Sequence, residues 1–125
     1  MAVDGIVVSV TSGKENKSIS ILEVSGYLDT TTASELENAL YGLLKREQYK
    51  IIVDLNGVSY ISSAGWGIFI GEIKEIRSHG GDLKLTGMTG DVHEVFQLLE
   101  FNSILECYPD SEAAEASFEE VSKPD

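Results

Sequence analysis

The pattern of apolar and polar residues predicts an alternation of strands and helices. Two short β-branched runs, residues 5–10 and 18–26, flank the polar segment "TSGKENK" and predict a hairpin of two strands. A near-continuous apolar run at residues 50–55 predicts a strand that lies centrally or is covered on both faces, and residues 56–60 predict the loop after it. Residues 82–87 and 103–109 predict two further strands.

Four segments show the apolar spacing of amphipathic helices. The first begins at Thr32, which stands at capping-box spacing from Glu35, and ends at Arg46. The second begins at Ser62 or Ser63 and ends near Ser78; the third and fourth span residues 89–101 and 110–121. The apolar residues expected to face inward are Ala33, Leu36, Leu40, Leu43 and Leu44, then Phe69, Ile70, Ile73 and Ile76, then Val92, Val95, Phe96 and Leu99, and finally Ala114, Phe118 and Val121.

The resulting order, β-β-α-β-α-β-α-β-α, predicts an α/β fold with a mixed sheet of about five strands and about four helices. The length of 125 residues predicts one domain over residues 1–125, with a core at about residues 5–117 and an acidic C-terminal tail. No apolar run is long enough to span a membrane and the N-terminus has no signal-peptide pattern, so we expect a cytoplasmic protein.

The formal net charge of −12 argues against nucleic acid and anionic membranes as partners, because both require clustered Lys and Arg. Seven acidic residues from Glu106 onward, against Lys123, favour a solvated terminal helix with a frayed tail over an acidic docking surface. Cys107 is the only cysteine, which excludes an internal disulfide and favours a small buried apolar role. We expect no metal and no cofactor.

The stretch "YISSAGWGIFIG", residues 60–71, joins a predicted strand to a predicted helix. One of Ser62 and Ser63 can cap the helix, a contribution of about 1 kcal/mol, but a cap does not require both. Gly65 and Gly67 each cost a helix roughly 1 kcal/mol relative to Ala, so another factor favours small residues there, such as the close approach of a neighbouring backbone. Small residues would also leave the helix N-terminus open, where unpaired N–H groups stabilise a phosphate.

Three chemistries can use such a junction. A serine hydrolase fits poorly, because Ile61 occupies the place of the first glycine in the nucleophile motif, and we expect His79 and His93 to have structural roles. A dinucleotide or P-loop site also fits poorly, because the glycines lie inside the helix and no Gly-Lys-Ser/Thr follows. Phosphorylation by a partner kinase needs only an accessible hydroxyl, since the kinase brings nucleotide, metal and base.

Residues 53–88, together with "GYLDTTTASEL" at residues 26–36, resemble the STAS domain of bacterial anti-sigma factor antagonists, and the resemblance extends from about Gly5 to Ser117. The family segment Asp-Ser-Ser/Thr-Gly-Leu-Gly carries its phosphoacceptor serine. Aligned on Gly65-Trp66-Gly67, the resemblance places the acceptor at Ser63, with Ser62 as the alternative because it replaces the family aspartate. The partner-binding surface that it implies comprises Asp29, Thr30, Ser62, Ala64, Gly65 and Trp66.

The resemblance implies a signalling protein rather than an enzyme. Its partners would be an anti-sigma factor with serine kinase activity and a serine phosphatase, in a partner switch regulated by phosphorylation. Trp66 is either an exposed interface anchor or a buried cover of the helix–sheet junction. Two alternatives remain: a STAS scaffold or accessory subunit of a signalling or transport complex that is not phosphorylated, and a small-molecule or nucleotide binder. The oligomeric state stays open.

Overall fold

A computed structural model describes residues 5–14 and 16–121, and these residues form five strands and four α-helices. The elements in chain order are β1 (Ile6–Ser12), β2 (Ser20–Leu28), α1 (Ala33–Lys45), β3 (Lys50–Ile61), α2 (Ser63–Ser78), β4 (Asp82–Thr86), α3 (Gly90–Leu98), β5 (Glu106–Tyr108) and α4 (Ser111–Val121). A short 3-10 helix, Phe101–Ser103, precedes β5. The predicted α/β class is confirmed.

The five strands form one sheet in the order β1-β2-β3-β4-β5. β1 and β2 pair antiparallel as the predicted hairpin, while β2–β3, β3–β4 and β4–β5 pair parallel. Because the carboxyl ends of parallel strands meet at one edge, the segments that follow β2, β3 and β4 lie together there.

The two faces of the sheet carry cores of different size. Helices α1, α2 and α3 pack their buried residues, among them Leu36, Leu40, Phe69, Ile73 and Phe96, against one face. On the other face α4 buries Ala114 and Phe118 against Ile19, Ile21 and Ile52. The acidic terminal helix is therefore solvated on one side only; the side chain of Val121 and the residues after it lie outside the described part.

A buried lysine fastens α4 to the sheet. The Lys84 ammonium donates to Ser117 Oγ at 2.7 Å, lies 3.3 Å from Glu106 Oε1 and sits over the Phe118 ring at 4.3 Å from its centroid. A buried charge is costly unless it is paired and hydrogen-bonded, and these contacts supply that pairing.

Residues 56–60 were predicted as a loop, and that prediction is wrong because β3 continues to Ile61. The pairing of β2 with β3 shifts register between Glu23 and Ser25 and again between Gly26 and Tyr27. Extra residues at such bulges break the simple alternation of apolar and polar side chains, yet Val58 and Ile61 remain buried. Because of the bulges, the second half of this long strand has the sequence pattern of a polar loop.

Other predicted boundaries also differ, and β2 spans Ser20–Leu28 rather than residues 18–26. β1 extends to Ser12, β5 shortens to three residues, and α3 ends at Leu98 rather than at residue 101. Val92 and Phe96 are buried as expected, but Val95 and Leu99 are exposed. The helix therefore has only a narrow buried stripe. After α3 the chain turns at Glu100, which has φ 60°.

Candidate functional site

The N-terminus of α2 follows the carboxyl end of β3, and Ser62 is its N-cap. Ser62 has extended backbone angles, and its hydroxyl oxygen accepts a hydrogen bond from the Gly65 N–H at 3.4 Å. Its own N–H donates to the Leu28 carbonyl at 2.8 Å, which ties the start of α2 to the end of β2. Ser62 therefore has a structural role in the helix start.

Ser63 is exposed in the first turn of α2. Its hydroxyl makes no hydrogen bond with any residue in 5–14 or 16–121, and the N–H groups of Ser63 and Ala64 likewise find no acceptor there. The helix start thus presents one free hydroxyl beside two free donors at the positive end of the helix dipole.

The two glycines of this turn have different surroundings. A Cβ added to Gly65 would lie 2.7 Å from Leu28 Cγ and 2.9 Å from Ile61 Cγ2, so the buried position has no room for a side chain. Gly67 is exposed, and a Cβ there would meet nothing within 4 Å. The expected close approach is found at Gly65, where side chains rather than backbone supply it, and not at Gly67.

Trp66 points into the protein and is only 3% exposed. Its ring packs against Phe69, Phe96 and Phe101, with centroids 6.2, 5.9 and 5.1 Å away. The indole N–H has no partner among the described residues. The interpretation of Trp66 as an exposed interface anchor is therefore wrong, because the side chain fills the interior between α2 and α3.

Asp29 begins the turn between β2 and α1 and lies at the same sheet edge as Ser62. Its Oδ1 accepts from the Thr31 hydroxyl at 2.8 Å and from the Thr31 and Thr32 N–H groups at 3.0 and 3.2 Å. The hydrogen bond from the Thr31 hydroxyl, with the further bonds from Thr31 and Thr32, lowers the pKa of Asp29. Asp29 is thus held ionised near Thr30, which is exposed.

The predicted capping box at Thr32 is wrong. Thr32 has helical backbone angles and makes no side-chain cap bond. Its hydroxyl donates to the Tyr27 carbonyl at 2.7 Å and accepts from the Asp29 N–H at 2.9 Å, so it closes the turn instead. The sequence analysis missed this role of Thr31 and Thr32, although Asp followed by Thr two residues later is typical of such a turn.

The two histidines have structural contacts. His79 stacks on Tyr49 at a centroid distance of 4.3 Å, and His93 lies beside Phe96 at 6.2 Å. Neither histidine is hydrogen-bonded to Ser63. Cys107 is half-buried, and burial raises the pKa of its thiol.

Within residues 5–14 and 16–121, no three His, Cys, Asp or Glu side chains come together as a metal site would require. None of the described helices combines the length and apolar character of a membrane span.

Comparison with known proteins gives a consistent family. The family model for the STAS domain matches residues 12–114. The anti-sigma-B factor antagonist of Listeria monocytogenes is 31% identical over 83 residues, which cover 66% of this chain and 73% of that protein.

Solved structures share the fold. An anti-sigma factor antagonist from Mycobacterium paratuberculosis superposes with a TM-score of 0.82 at 22% identity, covering 93% of this chain and 96% of that one. The phosphorylated form of the Bacillus cell fate determinant SpoIIAA has a TM-score of 0.66 at 16% identity, with 89% and 99% of the two chains covered. At these identities the likeness shows the fold alone.

Proposed function

This chain belongs to the STAS domain family, and we propose that it is an anti-sigma factor antagonist whose Ser63 receives phosphate from an anti-sigma factor with serine kinase activity. The observation that carries the proposal is the difference between the hydrogen bonding of Ser62 and that of Ser63. Ser62 is occupied as the helix cap, while Ser63 is exposed and has no hydrogen-bond partner among the described residues. The relative from L. monocytogenes is named as an anti-sigma factor antagonist, which supports the same role here.

The partner-binding surface is the sheet edge around the start of α2. Asp29 and Thr30 lie on one side of it, and Ser62, Ser63 and Ala64 lie on the other, held together by the Ser62–Leu28 hydrogen bond. Gly65 contributes by letting Leu28 and Ile61 pack under the turn. Trp66 contributes indirectly, because its buried ring packs on Phe96 and so sets the position of this first turn against α3.

Phosphate at Ser63 would act as a switch through charge. A phosphoserine carries about −1.5 to −2 charges, and burying them in a packed interface costs desolvation and brings repulsion from acidic partner groups. In the free protein the unpaired N–H groups of Ser63 and Ala64 can stabilise the phosphate. The modified protein is therefore favoured unbound, and a serine phosphatase would restore binding.

The chain itself supplies no catalysis in this scheme. The kinase provides nucleotide, metal and catalytic base, and the antagonist provides an accessible hydroxyl. We place the protein in the cytoplasm, where sigma factors act.

The experiment is site-mapping mass spectrometry of the protein purified from its host, with Ser63→Ala and Ser62→Ala as matched variants. We expect one phosphate on Ser63, lost in Ser63→Ala and retained in Ser62→Ala. Ser63→Asp should weaken binding to the purified cognate anti-sigma factor, and Ser63→Ala should not. Phosphate on Ser62 would shift the acceptor by one position and contradict the proposal.

A second function is kept open by Ser62, which stands where the family has aspartate. Without that carboxylate, the chain could act as a STAS scaffold or accessory subunit that is never phosphorylated. Absence of phosphate in all growth conditions, with partner binding unaffected by Ser63→Asp, would favour this alternative.

A further inference from the structure

One half of the sheet face that carries α4 has no cover within the described residues. Helix α4 packs on β3, β4 and β5 and reaches Ile21 near the start of β2, and no described helix covers this face at residues 23–27 of β2 or at the carboxyl end of β3. We call this area the open sheet surface and define it by Val7, Glu23, Ser25, Tyr27, Asp54 and Tyr60. Tyr27 pairs with Tyr60, Ser25 with Gly57, and Glu23 with Asp54 across β2 and β3.

The tyrosine pair is unusually exposed for a sheet face. Tyr27 is 56% exposed and Tyr60 is 53% exposed, whereas the next residues along each strand, Leu28 and Ile61, are buried in the main core. Neither tyrosine ring has an aromatic partner, and neither phenol hydroxyl has a hydrogen-bond partner, among residues 5–14 and 16–121. Val7, on the neighbouring strand, is 65% exposed. The two side chains project from paired positions on adjacent strands, whose backbones lie about 4.8 Å apart, and present exposed aromatic surface to a partner.

A pair of carboxylates lies on the same surface. Glu23 and Asp54 stand directly opposite each other on β2 and β3, an arrangement that destabilises a sheet when both residues are charged. Neither forms an ion pair with any described residue; Glu23 accepts from Ser9 Oγ at 3.5 Å, and Asp54 accepts from the Asn56 N–H at 3.0 Å. The fold therefore places two carboxylates at paired positions, and neither is ion-paired within residues 5–14 and 16–121.

Two shallow clefts meet at these carboxylates. A cleft of about 410 Å³ runs from Glu23 and Asp54 toward the start of α4. Along its whole length it is lined by five carboxylates, Glu23 and Asp54 among them, and by one lysine. A second cleft of about 260 Å³ runs from the same two residues to Val7 and Ser25. The surface thus combines apolar rings with negative charge, the complement of Arg or Lys side chains.

We propose that the open sheet surface binds a basic segment of a partner protein, with Arg or Lys side chains over Tyr27 and Tyr60 and against Glu23 and Asp54. Charge complementarity selects this occupant, because a second copy of a chain with net charge −12 would bring like charges together. The inference goes beyond the phosphoacceptor role and does not depend on it.

The test uses a fluorescent nine-residue peptide in which arginine alternates with valine, and anisotropy measures its affinity. We expect the double variant Tyr27→Ser/Tyr60→Ser to weaken binding by about tenfold, because exposed cation–π and apolar contacts are lost. Glu23→Gln/Asp54→Asn should weaken binding by a similar factor and reduce its dependence on salt. A peptide in which arginine alternates with serine should bind less tightly, since it carries the charge without the apolar side chains.

The matched control is Glu72→Gln/Glu75→Gln, which removes the same charge from the α1–α2 side of the molecule. Equal weakening by this control would mean non-specific attraction to an acidic protein and would overturn the proposal. Sedimentation that detects a dimer lost in Tyr27→Ser/Tyr60→Ser would assign the surface to a second copy and would overturn it too. Because the charge variants relieve a repulsive pair, they should melt at or above the wild-type temperature, so loss of folding cannot explain weak binding.

Discussion

Gly65 and Gly67 lie two residues apart in α2, and substitution of each by Ala should change stability in opposite directions. A Cβ on Gly65 would lie 2.7 Å from Cγ of Leu28, which is fully buried, and 2.9 Å from Ile61 Cγ2. Neither atom is the free end of a flexible chain, so the core itself must shift. A Cβ on Gly67 would meet nothing within 4 Å.

The magnitudes follow from two terms. Replacing Gly by Ala inside a helix gains about 1 kcal/mol at either position, because the unfolded chain loses conformational freedom. Overpacking a buried site costs about 1–3 kcal/mol, and the short contacts at Gly65 place it in the upper part of that range. Gly67→Ala should therefore stabilise by about 1 kcal/mol, whereas Gly65→Ala should destabilise by about 1–2 kcal/mol.

Urea unfolding followed by circular dichroism measures the difference. With an m-value of about 1–3 kcal/mol/M, the two midpoints should separate by about 1 M or more, on either side of the wild-type midpoint. A Gly65→Ala midpoint at or above wild type would refute the argument, since it would mean that Leu28 and Ile61 yield without cost.

Three further outcomes are expected. Ser62→Ala should lower the free energy of unfolding by about 1 kcal/mol through loss of the cap, and Ser63→Ala should change it by less than about 0.5 kcal/mol, both in urea. Asp29 has a lowered pKa, so its contribution to stability is present above its unfolded pKa and is lost as pH falls through its folded pKa; Asp29→Asn should remove that part of the acid loss in thermal melts. Lys84→Ala should destabilise the protein by about 2–3 kcal/mol and speed proteolysis within α4, because it removes the buried Lys84 methylene chain and the hydrogen bond to Ser117. As the control, Lys45→Ala at an exposed position should change neither stability nor proteolysis.

The element order was predictable because the apolar spacing in α1, α2 and the central part of β3 is local and strong. Leu36, Leu40 and Leu43 are buried as the period requires. The course of residues 56–61 was not predictable, because two bulges break the alternation that identifies a strand. The capping box failed at Thr32 because its hydroxyl accepts from the Asp29 N–H and donates to the Tyr27 carbonyl, contacts that depend on the end of β2, while the Glu35 N–H donates to the Thr32 carbonyl.

The candidate site divides in the same way. The start of α2 could be placed within one residue because it is a local feature, whereas the choice of Ser63 over Ser62 as acceptor came from the family resemblance and stays a prediction. The burial of Trp66 depends on Phe96 and Phe101, which come from other parts of the chain, so sequence left its two roles equal. The pairing of Tyr27 with Tyr60 could not be predicted from the sequence, because the register of two parallel strands joined through a helix is fixed only by the whole sheet.

The serine at position 62 has an electrostatic consequence for the proposed switch. An aspartate there would cap α2 equally well, but its carboxylate would stand next to a phosphate on Ser63, and two such charges repel by on the order of 1 kcal/mol near a surface. Ser62 keeps the cap bond to Gly65 without that charge, so the helix N-terminus can stabilise the phosphate more fully. In the proposed switch, the serine at position 62 would therefore favour the phosphorylated form.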